Sequence, residues 1–378
     1  MVEKKDLISV ADVQYGYPFE SSLFTEDENF IPLIRIRDVK PGLPSTYYSG
    51  EYSSEFIIRK GDILVGMDGE FNLAKWKSRD GLLNQRVLKL SGKNNICNSG
   101  YLYHYMGPLF KKIELQTAGG SVKHLSAKVI NKIQIPIPPL SEQNRIVGIL
   151  DTFTESIENL KKQITERKKQ YEHYRDQLLD IEGKPEKDIK RFGEICEMIK
   201  GNGVQKTDFV DEGIGCIHYG QIYTHYGSFT YTTNKFVSKE VFDKAKKASK
   251  GDIVMTDTSE NVEDICKSVA YLGEEDIAVS NHALIIKHRQ NPKFLSYSTL
   301  TKSFFNQKRK YAYGVKVTGI KPDHLAQFLI YLPSIEEQNR IVSILDTFEA
   351  SIANLEQQLT LRQKQYEYYR NMLLTFDE

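Results

Sequence analysis

A segment of 38 residues occurs twice in this chain, and that duplication limits the possible folds more than any other feature of the sequence. Residues 142–179 match residues 337–374 at 26 of 38 positions without a gap, at a constant offset of 195. Two unrelated helix-forming segments do not agree to this extent by chance. We therefore infer an internal duplication, with one copy in each half of the chain.

Each copy has the apolar spacing of a coiled-coil helix. The apolar side chains step by four and three residues from Ile146 to Leu178, and again from Ile341 to Leu373. A repeat of 3.5 residues predicts a long helix with a packing seam along one side. Such a helix can also join two copies of a protein, but here both helices belong to one chain. Because the first helix leads into the second half and the second begins where that half ends, the compact arrangement is an antiparallel pair.

Prolines and glycines mark the ends of these helices. Pro139 and Pro333 close the segments before them, and Gly183 with Pro185 ends the first helix. A helix of about 38 residues is roughly 57 Å long, which equals about 16 steps of B-DNA. We predict four segments: a globular domain over residues 1–140, a long helix over 141–182, a second globular domain over 188–333 and a C-terminal long helix over 334–376.

The two globular segments share a fainter similarity. Residues 60–64, Lys-Gly-Asp-Ile-Leu, correspond to residues 250–254, Lys-Gly-Asp-Ile-Val, and both predict a turn that leads into a buried strand. The alternating residues 34–37, Ile-Arg-Ile-Arg, predict another strand, and residues 101–115 predict a helix. The expected fold class is α+β, with two pseudo-symmetric globular domains of mixed structure separated by two long antiparallel coiled-coil helices.

Composition excludes several classes of protein. The chain is 27% charged and 40% hydrophobic, and no apolar run has the length that crosses a bilayer. The charged residues 1–6 lack the apolar stretch of a secretion signal, which predicts a cytoplasmic location. The four cysteines are widely spaced and are expected to be reduced and mostly buried. The net charge of +1 is divided so that each globular segment is mildly basic, which permits DNA binding without requiring it.

The sequence carries no recognisable motif for catalysis. It contains neither a glycine-rich phosphate loop nor a helical His-Glu-x-x-His zinc motif. Residues 291–294, Asn-Pro-Lys-Phe, come nearest to the Asn/Asp-Pro-Pro-aromatic motif of DNA adenine methyltransferases, but lysine replaces the second proline. No glycine-rich methyl-donor loop accompanies them, so we interpret these residues as a turn. The sequence therefore predicts no metal or cofactor site and favours a non-catalytic protein.

The loops of the two globular segments differ in their chemistry. Asn, Gln, Arg, Lys and His side chains read base edges in the major groove, whereas basic groups contact phosphates. A shared core with dissimilar loops therefore suits a protein that reads two different short DNA sequences. Loop residues of these types are often merely solvated, and loop tyrosines often pack a small β core. The candidate DNA-binding residues are Arg35, Arg37, Lys75, Arg86, Lys123 and His124 in the first domain and His218, Tyr219, Gln221, Tyr223, His282 and Lys316 in the second.

The order of these features resembles the specificity subunit of type I restriction–modification systems. The resemblance covers nearly the whole chain and rests on residues 136–143 with 332–338, on the two Lys-Gly-Asp-Ile turns, and on residues 216–224. The second copy has Ser334 where the family commonly has another proline. Membership implies that each globular domain is a target recognition domain for one half of a bipartite double-stranded DNA target. It also implies that the paired helices set the spacing and bind two modification subunits.

The same resemblance implies which chemistry belongs to partner subunits. Modification subunits bring S-adenosylmethionine and methylate adenine, and restriction subunits add ATP- and Mg²⁺-dependent translocation and cleavage. This chain would then need no cofactor and would not be an enzyme. On the helices, we expect Ile149 and Ile344 to lie in an exposed stripe that docks these subunits. Arg167 and Arg362 interrupt the two seams at the same point, either as a register or docking device or because they extend to solvent at the seam edge.

Two other functions fit part of this pattern. An interaction scaffold or a transcription regulator with two unequal arms would have the same fold, and its DNA binding would not depend on modification subunits. A self-contained methyltransferase or nuclease is disfavoured because the motifs for these activities are missing from the sequence.

Overall fold

The computed structural model describes residues 2–116, 124–314 and 318–376. The chain forms two compact units: unit 1 comprises Met1–Lys161 with Gln357–Glu378, and unit 2 comprises Lys162–Glu356. Each long helix contributes residues to both units. These two units divide the chain inside the long helices, whereas the four segments predicted from the sequence divide it at the helix ends. The boundaries of the four segments stay a prediction. Among the described residues, no helix combines the length and apolar character that a bilayer span requires.

Unit 1 is built from short strands and helices. Its strands are β1 (Lys4–Asp6), β2 (Ala11–Tyr15), β3 (Phe24–Thr25), β4 (Ile31–Ile34), β5 (Tyr47–Tyr48), β6 (Ile57–Ile58), β7 (Ile63–Gly66), β8 (Leu73–Lys75), β9 (Gly81–Leu83), β10 (Val87–Gly92) and β11 (Gln134–Pro136). The helices are α1 (Leu7–Val10), α2 (Ile36–Val39), α3 (Ser99–Gln116), α4 (Ala127–Ile130) and α5 (Leu140–Leu179). The helix predicted over residues 101–115 is therefore confirmed, and α5 is the first of the two long helices.

Unit 2 is also built from short strands and helices. Its strands are β12 (Ile189–Arg191), β13 (Cys196–Lys200), β14 (Phe209–Val210), β15 (Ile214–Ile217), β16 (Phe229–Thr230), β17 (Lys235–Val237), β18 (Lys247–Ala248), β19 (Ile253–Thr256), β20 (Thr258–Ser259), β21 (Ser268–Tyr271), β22 (Ile277–Val279), β23 (Ala283–His288), β24 (Thr318–Gly319) and β25 (Leu329–Tyr331). The helices are α6 (Phe192–Ile195), α7 (Tyr219–Thr224), α8 (Lys239–Lys244), α9 (Pro292–Ser298), α10 (Lys302–Tyr311), α11 (Pro322–Leu325) and α12 (Ile335–Leu374). The mixture of helices and sheets in both units confirms the α+β class.

Two sheets in each unit have corresponding strand orders, and one sheet of unit 2 has an additional fifth strand, β16. In unit 1 the orders are β2-β10-β7-β8 and β3-β5-β4-β9-β6, and in unit 2 they are β13-β23-β19-β21-β16 and β14-β17-β15-β22-β18. The central strand β7 alternates between two apolar cores, because Ile63 and Val65 join the core that contains α3 while Leu64 joins the other. In β19, Ile253 and Val254 divide in the same way. A strand buried on both faces reads as a continuous apolar run.

The Lys-Gly-Asp-Ile segments form the predicted turns. Gly61 has φ +98° and Gly251 has φ +92°, a left-handed conformation that glycine adopts without steric cost. The following aspartate closes each turn: an Asp62 carboxyl oxygen accepts the backbone N–H of Arg59 at 2.8 Å, and Asp252 accepts that of Ser249 at 2.7 Å. The prediction of a turn followed by a buried strand is confirmed in both units.

The repeated Glu-Gln-Asn-Arg sequence fastens each long helix to the domain in its own unit. Gln143 is fully buried; its Nε2 donates to the carbonyls of Ile96 (3.0 Å) and Pro138 (2.8 Å), and its Oε1 accepts the N–H of Asn98 at 2.8 Å. In unit 2, Gln338 repeats the arrangement; its partners are the Asn291 N–H (3.1 Å), the Pro333 carbonyl (2.9 Å) and the Gln290 side chain (3.0 Å). A buried polar side chain of this kind is stable only when its hydrogen bonds are made. The repeat therefore has a structural explanation.

A second polar contact joins the helix to the domain about two turns of α5 further along. The His104 ring is buried, with Nε2 2.8 Å from an Asp151 oxygen and Nδ1 3.0 Å from the Tyr366 hydroxyl. Burial lowers the pKa of His104; Lys75 and Arg370 act in the same direction, whereas Asp151 opposes them.

Tyr297 takes the corresponding position in unit 2. Its hydroxyl donates to an Asp346 oxygen at 2.7 Å, and Lys293 pairs with the other oxygen at 2.8 Å. Asp151 and Asp346 are equivalent positions of the repeat. The aspartate at this position of the repeat thus accepts a hydrogen bond from a histidine in unit 1 and from a tyrosine in unit 2.

Within each unit, segments of the two long helices pack together through the predicted seam. In unit 2, Lys168 pairs with Glu356 at 2.7 Å, and the ring of Tyr174 lies 5.4 Å from that of Phe348. The later residue of α5 contacts the earlier residue of α12, so the two segments are antiparallel in this unit. In unit 1 the equivalent of the aromatic pair is Phe153 with Tyr369, whose ring centres are 5.2 Å apart.

The arginines of the seam contact aromatic rings. Arg167 lies 5.8 Å from the ring centre of Phe348 in unit 2, and Arg362 lies 5.6 Å from that of Phe153 in unit 1. A guanidinium over an aromatic face is an attractive contact that also removes apolar surface from water. Both arginines are half-buried. They are part of the helix packing rather than fully solvated side chains.

Two local predictions were wrong. β4 ends at Ile34, because an Asp38 oxygen accepts the N–H of Arg35 at 2.9 Å and starts the helical turn α2; residues 34–37 are therefore not one strand. Residues 291–294 begin α9 rather than forming a turn. The Asn291 side chain accepts the N–H of Phe294 at 3.1 Å, and proline occupies the first helical position, where its missing N–H costs nothing. The four cysteines are free thiols, as predicted.

Candidate nucleic-acid interface

One sheet in each unit brings two connecting segments together at its edge. Strands β4 and β9 are parallel neighbours in unit 1, and β15 and β22 are parallel neighbours in unit 2. The carboxyl ends of parallel strands lie at the same edge of a sheet, where ligand sites commonly form. Each of these edges bounds an open cleft of about 560 Å³. We call them the unit-1 cleft and the unit-2 cleft.

The unit-1 cleft is basic. Arg37 donates from Nε to the Ser45 hydroxyl and from a terminal nitrogen to the Thr46 hydroxyl, both at 2.8 Å. The guanidinium of Arg35 lies 5.9 Å from the ring centre of Phe24. Described residues that line the cleft are Phe19, Ser21, Phe24, Arg35, Ile36, Arg37, Asn84, Gln85 and Arg86, a set with three arginines and no carboxylate.

A carboxylate lies next to this cleft and holds two of the predicted residues. Arg86 forms an ion pair with Asp68, and His124 Nδ1 lies 2.5 Å from the other oxygen of Asp68. Burial raises the pKa of the Asp68 carboxyl, but the hydrogen bonds from His124 and Arg86 outweigh it and hold that pKa below its usual value. Asp68 is therefore a charged acceptor that fixes the positions of both basic side chains.

The unit-2 cleft has mixed charge. Its basic residues, Lys206 and His282, face a wall that also carries Glu260 and Asp264. Described residues that line it are Lys206, Tyr219, Gly220, Tyr223, Thr224, Thr258, Ser259, Glu260, Asn261, Asp264 and His282. The clefts thus occupy the same position in the two units and differ in the chemistry that they present.

His218 and Gln221 hold the start of α7, the helix whose tyrosines line the unit-2 cleft. His218 precedes α7; its Nδ1 accepts the N–H of Gly220 at 3.1 Å, and its own N–H donates to Gln221 Oε1 at 2.8 Å. The Gln221 amide in turn donates to Asn234. Burial lowers the pKa of the His218 ring, and the charges of Lys206 and His282 act in the same direction. Both predicted residues are buried.

The two tyrosines of α7 line the unit-2 cleft itself. The Tyr219 ring lies 5.3 Å from that of His282, and its backbone N–H donates to the Ser280 hydroxyl at 2.9 Å. The Tyr223 hydroxyl donates to the carbonyl of Thr258, and burial raises its pKa above the usual range. The residues after Ile217 were treated as a loop in the sequence, whereas the structure shows that they form the helix α7.

His282 approaches a buried carboxylate. Its Nδ1 lies 4.0 Å from one oxygen of Asp257, and Lys200 lies 3.2 Å from the other. Asp257 is buried, and the oxygen nearer to His282 has no hydrogen-bond partner within the described part of the chain. His282 has φ +65°, a conformation that few residues other than glycine adopt.

One further predicted residue, Lys75, lies away from these clefts, and two cannot be assigned a place. Lys75 lies on β8, where it pairs with Asp151 at 3.4 Å and covers the ring of Tyr103 at 5.1 Å, so it packs against α5 and α3. Lys123 and Lys316 lie outside the described residues. Their assignment to DNA binding stays a prediction, as do the other ten assignments.

The residues predicted for subunit docking are less exposed than expected. Ile149 and Ile344 are half-buried rather than part of a fully exposed stripe. In unit 2, Ile344 and Phe348 share an open depression of about 910 Å³ with Tyr174 and other residues of α5. The docking role of Ile149, Ile344, Arg167 and Arg362 stays a prediction.

The sequence analysis did not single out the carboxylates behind the clefts. Asp68 follows β7 and Asp257 follows β19, so both come at the end of the strand that the Lys-Gly-Asp-Ile turn opens. That shared place after a recognisable strand was the available signal. Neither the pairing of Asp68 with Arg86 nor that with His124 has a local sequence pattern.

Two versions of one fold, with chemically different clefts at equivalent edges, define a protein built from a duplicated domain. A family model described as type I restriction modification DNA specificity domain matches residues 1–167 and 185–362. Since these ranges cover most of the chain, the chain belongs to this family of type I restriction–modification specificity proteins. The membership predicted from the sequence motifs is confirmed.

Relatives and a solved structure agree with this assignment. The chain is 29% identical to the type I restriction enzyme EcoBI specificity subunit of Escherichia coli, over 93% of this chain and 80% of that protein. It is 24% identical to the MjaVIII specificity subunit of Methanocaldococcus jannaschii, over 93% and 86%. The fold matches a type I restriction–modification S subunit from M. genitalium with a TM-score of 0.61 and 14% identity, over 100% and 96%. These proteins are named specificity subunits, in agreement with the non-catalytic class predicted for this chain.

Proposed function

We propose that this chain is the DNA-specificity subunit of a type I restriction–modification complex and reads a bipartite double-stranded target, one half-site with each globular domain. The observation that carries the proposal is the pair of clefts. They are bounded by equivalent parallel strands, yet one presents three arginines and the other presents tyrosines, a histidine, a lysine and two carboxylates. Arginine, histidine and carboxylate side chains favour different base edges. Two such clefts suit two dissimilar half-sites.

A domain exchange tests this division of labour. Residues 188–331 are replaced by the corresponding segment of a relative with a different target, and the complex with modification subunits is assayed for methylation of DNA. We expect one half-site to change and the other to stay, because the base contacts of each half belong to one domain. The reciprocal exchange of residues 1–140 is the matched control and should alter only the other half. A change of both half-sites in either chimera would contradict the proposal.

The long helices are proposed to set the spacing of the half-sites and to bind two modification subunits. The part of α12 in unit 1 supports docking, because Leu361, Tyr368 and Met372 are 57%, 65% and 51% exposed. Their spacing of seven and four residues places them on one face of the helix. Large exposed apolar side chains in a row commonly mark a protein interface.

The two docking sites are proposed to differ in strength. The repeat positions equivalent to Leu361, Tyr368 and Met372 on α5 carry the polar residues Glu166, His173 and Gln177. A polar face buries less apolar area against a partner and so contributes less binding free energy.

Partner subunits are proposed to supply the cofactors. The sites for S-adenosylmethionine, ATP and Mg²⁺ would belong to the modification and restriction subunits. Titration of the purified chain with S-adenosylmethionine should give no heat of binding, whereas the assembled complex should bind it. The alternative function, a DNA-binding scaffold or regulator, predicts the same DNA affinity with and without modification subunits, which a gel-shift experiment measures.

A further inference from the structure

The ion pair between Arg86 and Asp68 has the features of a base-reading contact. The side chain of Arg86 is 57% exposed and lines the unit-1 cleft, whereas that of Asp68 is 15% exposed and lies behind it. A guanidinium has five N–H donors, so the contact with Asp68 leaves donors available to a ligand in the cleft. Asp68 also accepts from His124, which fixes the carboxylate from a second side.

The carboxylate makes Arg86 a poor phosphate ligand and a good base ligand. A phosphate that approached Arg86 would also approach the negative charge of Asp68, which would repel it. A base edge is uncharged and meets no such repulsion. The ion pair also holds an otherwise flexible side chain in one position, which reduces the conformational entropy lost on binding.

The other arginines of the cleft form no direct ion pair with a carboxylate among the described contacts. Two N–H groups of Arg37 are already donated to the hydroxyls of Ser45 and Thr46. Arg35 lies over the ring of Phe24. The Ser45 hydroxyl donates in turn to a buried Asp38 oxygen at 2.6 Å, so Arg37 is linked to a carboxylate only indirectly. Because Arg86 has a direct ion pair, Arg35 and Arg37 suit phosphate contacts better than Arg86 does.

Unit 2 has a different residue in the same place. Arg86 is the third residue after β9, and His282 is the third residue after β22. His282 also lies near a carboxylate at the end of the central strand, Asp257, at 4.0 Å. One position of the duplicated fold thus presents a basic side chain next to an acid in both units, with a different donor pattern in each.

We propose that Arg86 reads a guanine in the half-site of unit 1 through the O6 and N7 acceptors of that base, and that Asp68 is the residue that positions Arg86. Arginine paired with guanine is the commonest specific contact in the major groove. The inference rests on the proposed function, because it assigns one base of a half-site to one side chain. His282 holds the equivalent position for the half-site of unit 2.

The test uses the chain assembled with its modification subunits, and methylation of two DNA libraries, each with one of the two half-sites randomised. In Arg86→Ala, the preference for guanine at one position of the unit-1 half-site should fall roughly tenfold or more. Asp68→Asn should lower the guanine preference at the same position by a smaller factor. Asp68→Glu, which keeps the carboxylate, should retain more of that preference than Asp68→Asn does. The half-site of unit 2 should not change, which also shows in the same sample that the complex has folded and assembled.

Lys93→Ala is the matched control. Lys93 follows the other end of β10, roughly 23 Å from Arg86 at 3.3 Å per residue of strand, and should not affect the guanine preference. The salt dependence of DNA binding separates the two kinds of contact, because loss of a phosphate contact lowers the slope by about one. The slope should be unchanged in Arg86→Ala.

Each outcome has a separate meaning. If Arg86→Ala weakens methylation of all sequences by the same factor and lowers the salt slope, Arg86 is a phosphate contact and the inference is wrong. If Asp68→Asn leaves the preference intact while Arg86→Ala removes it, Asp68 is not the positioning residue. If the complex without any substitution methylates a target that is not bipartite, the proposed function itself is wrong, whatever the variants do.

Discussion

The buried glutamine at the start of each long helix should be essential to the stability of its unit. Replacing Gln143 with leucine keeps a side chain of similar size but removes three hydrogen bonds. The N–H of Asn98 and the carbonyls of Ile96 and Pro138 lose their partner in a region where the Gln143 side chain is fully buried. At about 1 kcal/mol for each lost bond, Gln143→Leu should lower the free energy of unfolding by about 3 kcal/mol. Gln357→Leu, at an exposed position of α12 in the same unit, is the control and should change it by less than about 0.5 kcal/mol.

Urea unfolding measures the loss, and hydrogen exchange locates it. In Gln143→Leu, amide protection should fall in α3 and in the start of α5, while the sheets of unit 2 keep theirs, because the partners of Gln143 all lie in unit 1. Gln338→Leu should produce the mirror result in unit 2. A loss below about 1 kcal/mol in both variants would refute the reasoning, since the buried groups would then have found other partners.

Three further outcomes follow from the contacts of the helices. Tyr297→Phe removes the hydrogen bond to the Asp346 carboxylate and should cost about 2 kcal/mol in urea unfolding. Burial lowers the pKa of His104 in spite of Asp151, so the unfolded chain binds this proton at higher pH than the folded chain. The contribution of His104 to the free energy of unfolding should be complete above about pH 6.5 and should fall as the pH drops below that value. His104→Gln should reduce the difference between the free energies of unfolding measured at pH 7.5 and pH 5.5. Under the proposed docking, Tyr368→Lys should remove one of two modification subunits, as measured by native mass spectrometry.

The helices were predictable because their pattern is periodic and local. Steps of three and four residues between apolar side chains determine which face of a helix is buried, and the two copies confirm each other. The strand after each Lys-Gly-Asp-Ile turn was predictable for a related reason, since a glycine with positive φ and an aspartate that closes the turn are adjacent in sequence. The end of β4 was not predicted, because alternation through Ile36 was outweighed by the hydrogen bond from Arg35 to Asp38.

The candidate site was predictable only in part. The exposed basic residues of the unit-1 cleft were identified from residue type and position. Lys75 has the same type, but its contact with Asp151 involves a residue 76 positions away, which local sequence does not reveal. For the same reason Asp68, whose partner His124 is 56 positions away, was overlooked. Residue type indicates what a side chain can bind, whereas the fold decides what it has already bound.

The two copies of the domain differ in the clefts and agree in the buried glutamine that attaches each long helix, and the physical costs explain why. Gln143 and Gln338 satisfy buried backbone groups, so any other side chain there leaves donors and acceptors unpaired. Arg86 and His282 stand after strand ends with more than half of each side chain exposed, where exchange of one residue for another leaves the core intact. Under the proposed function, a duplicated domain of this construction can acquire a second specificity by substitutions at the edges of its sheets, while the strand orders that position those edges stay the same.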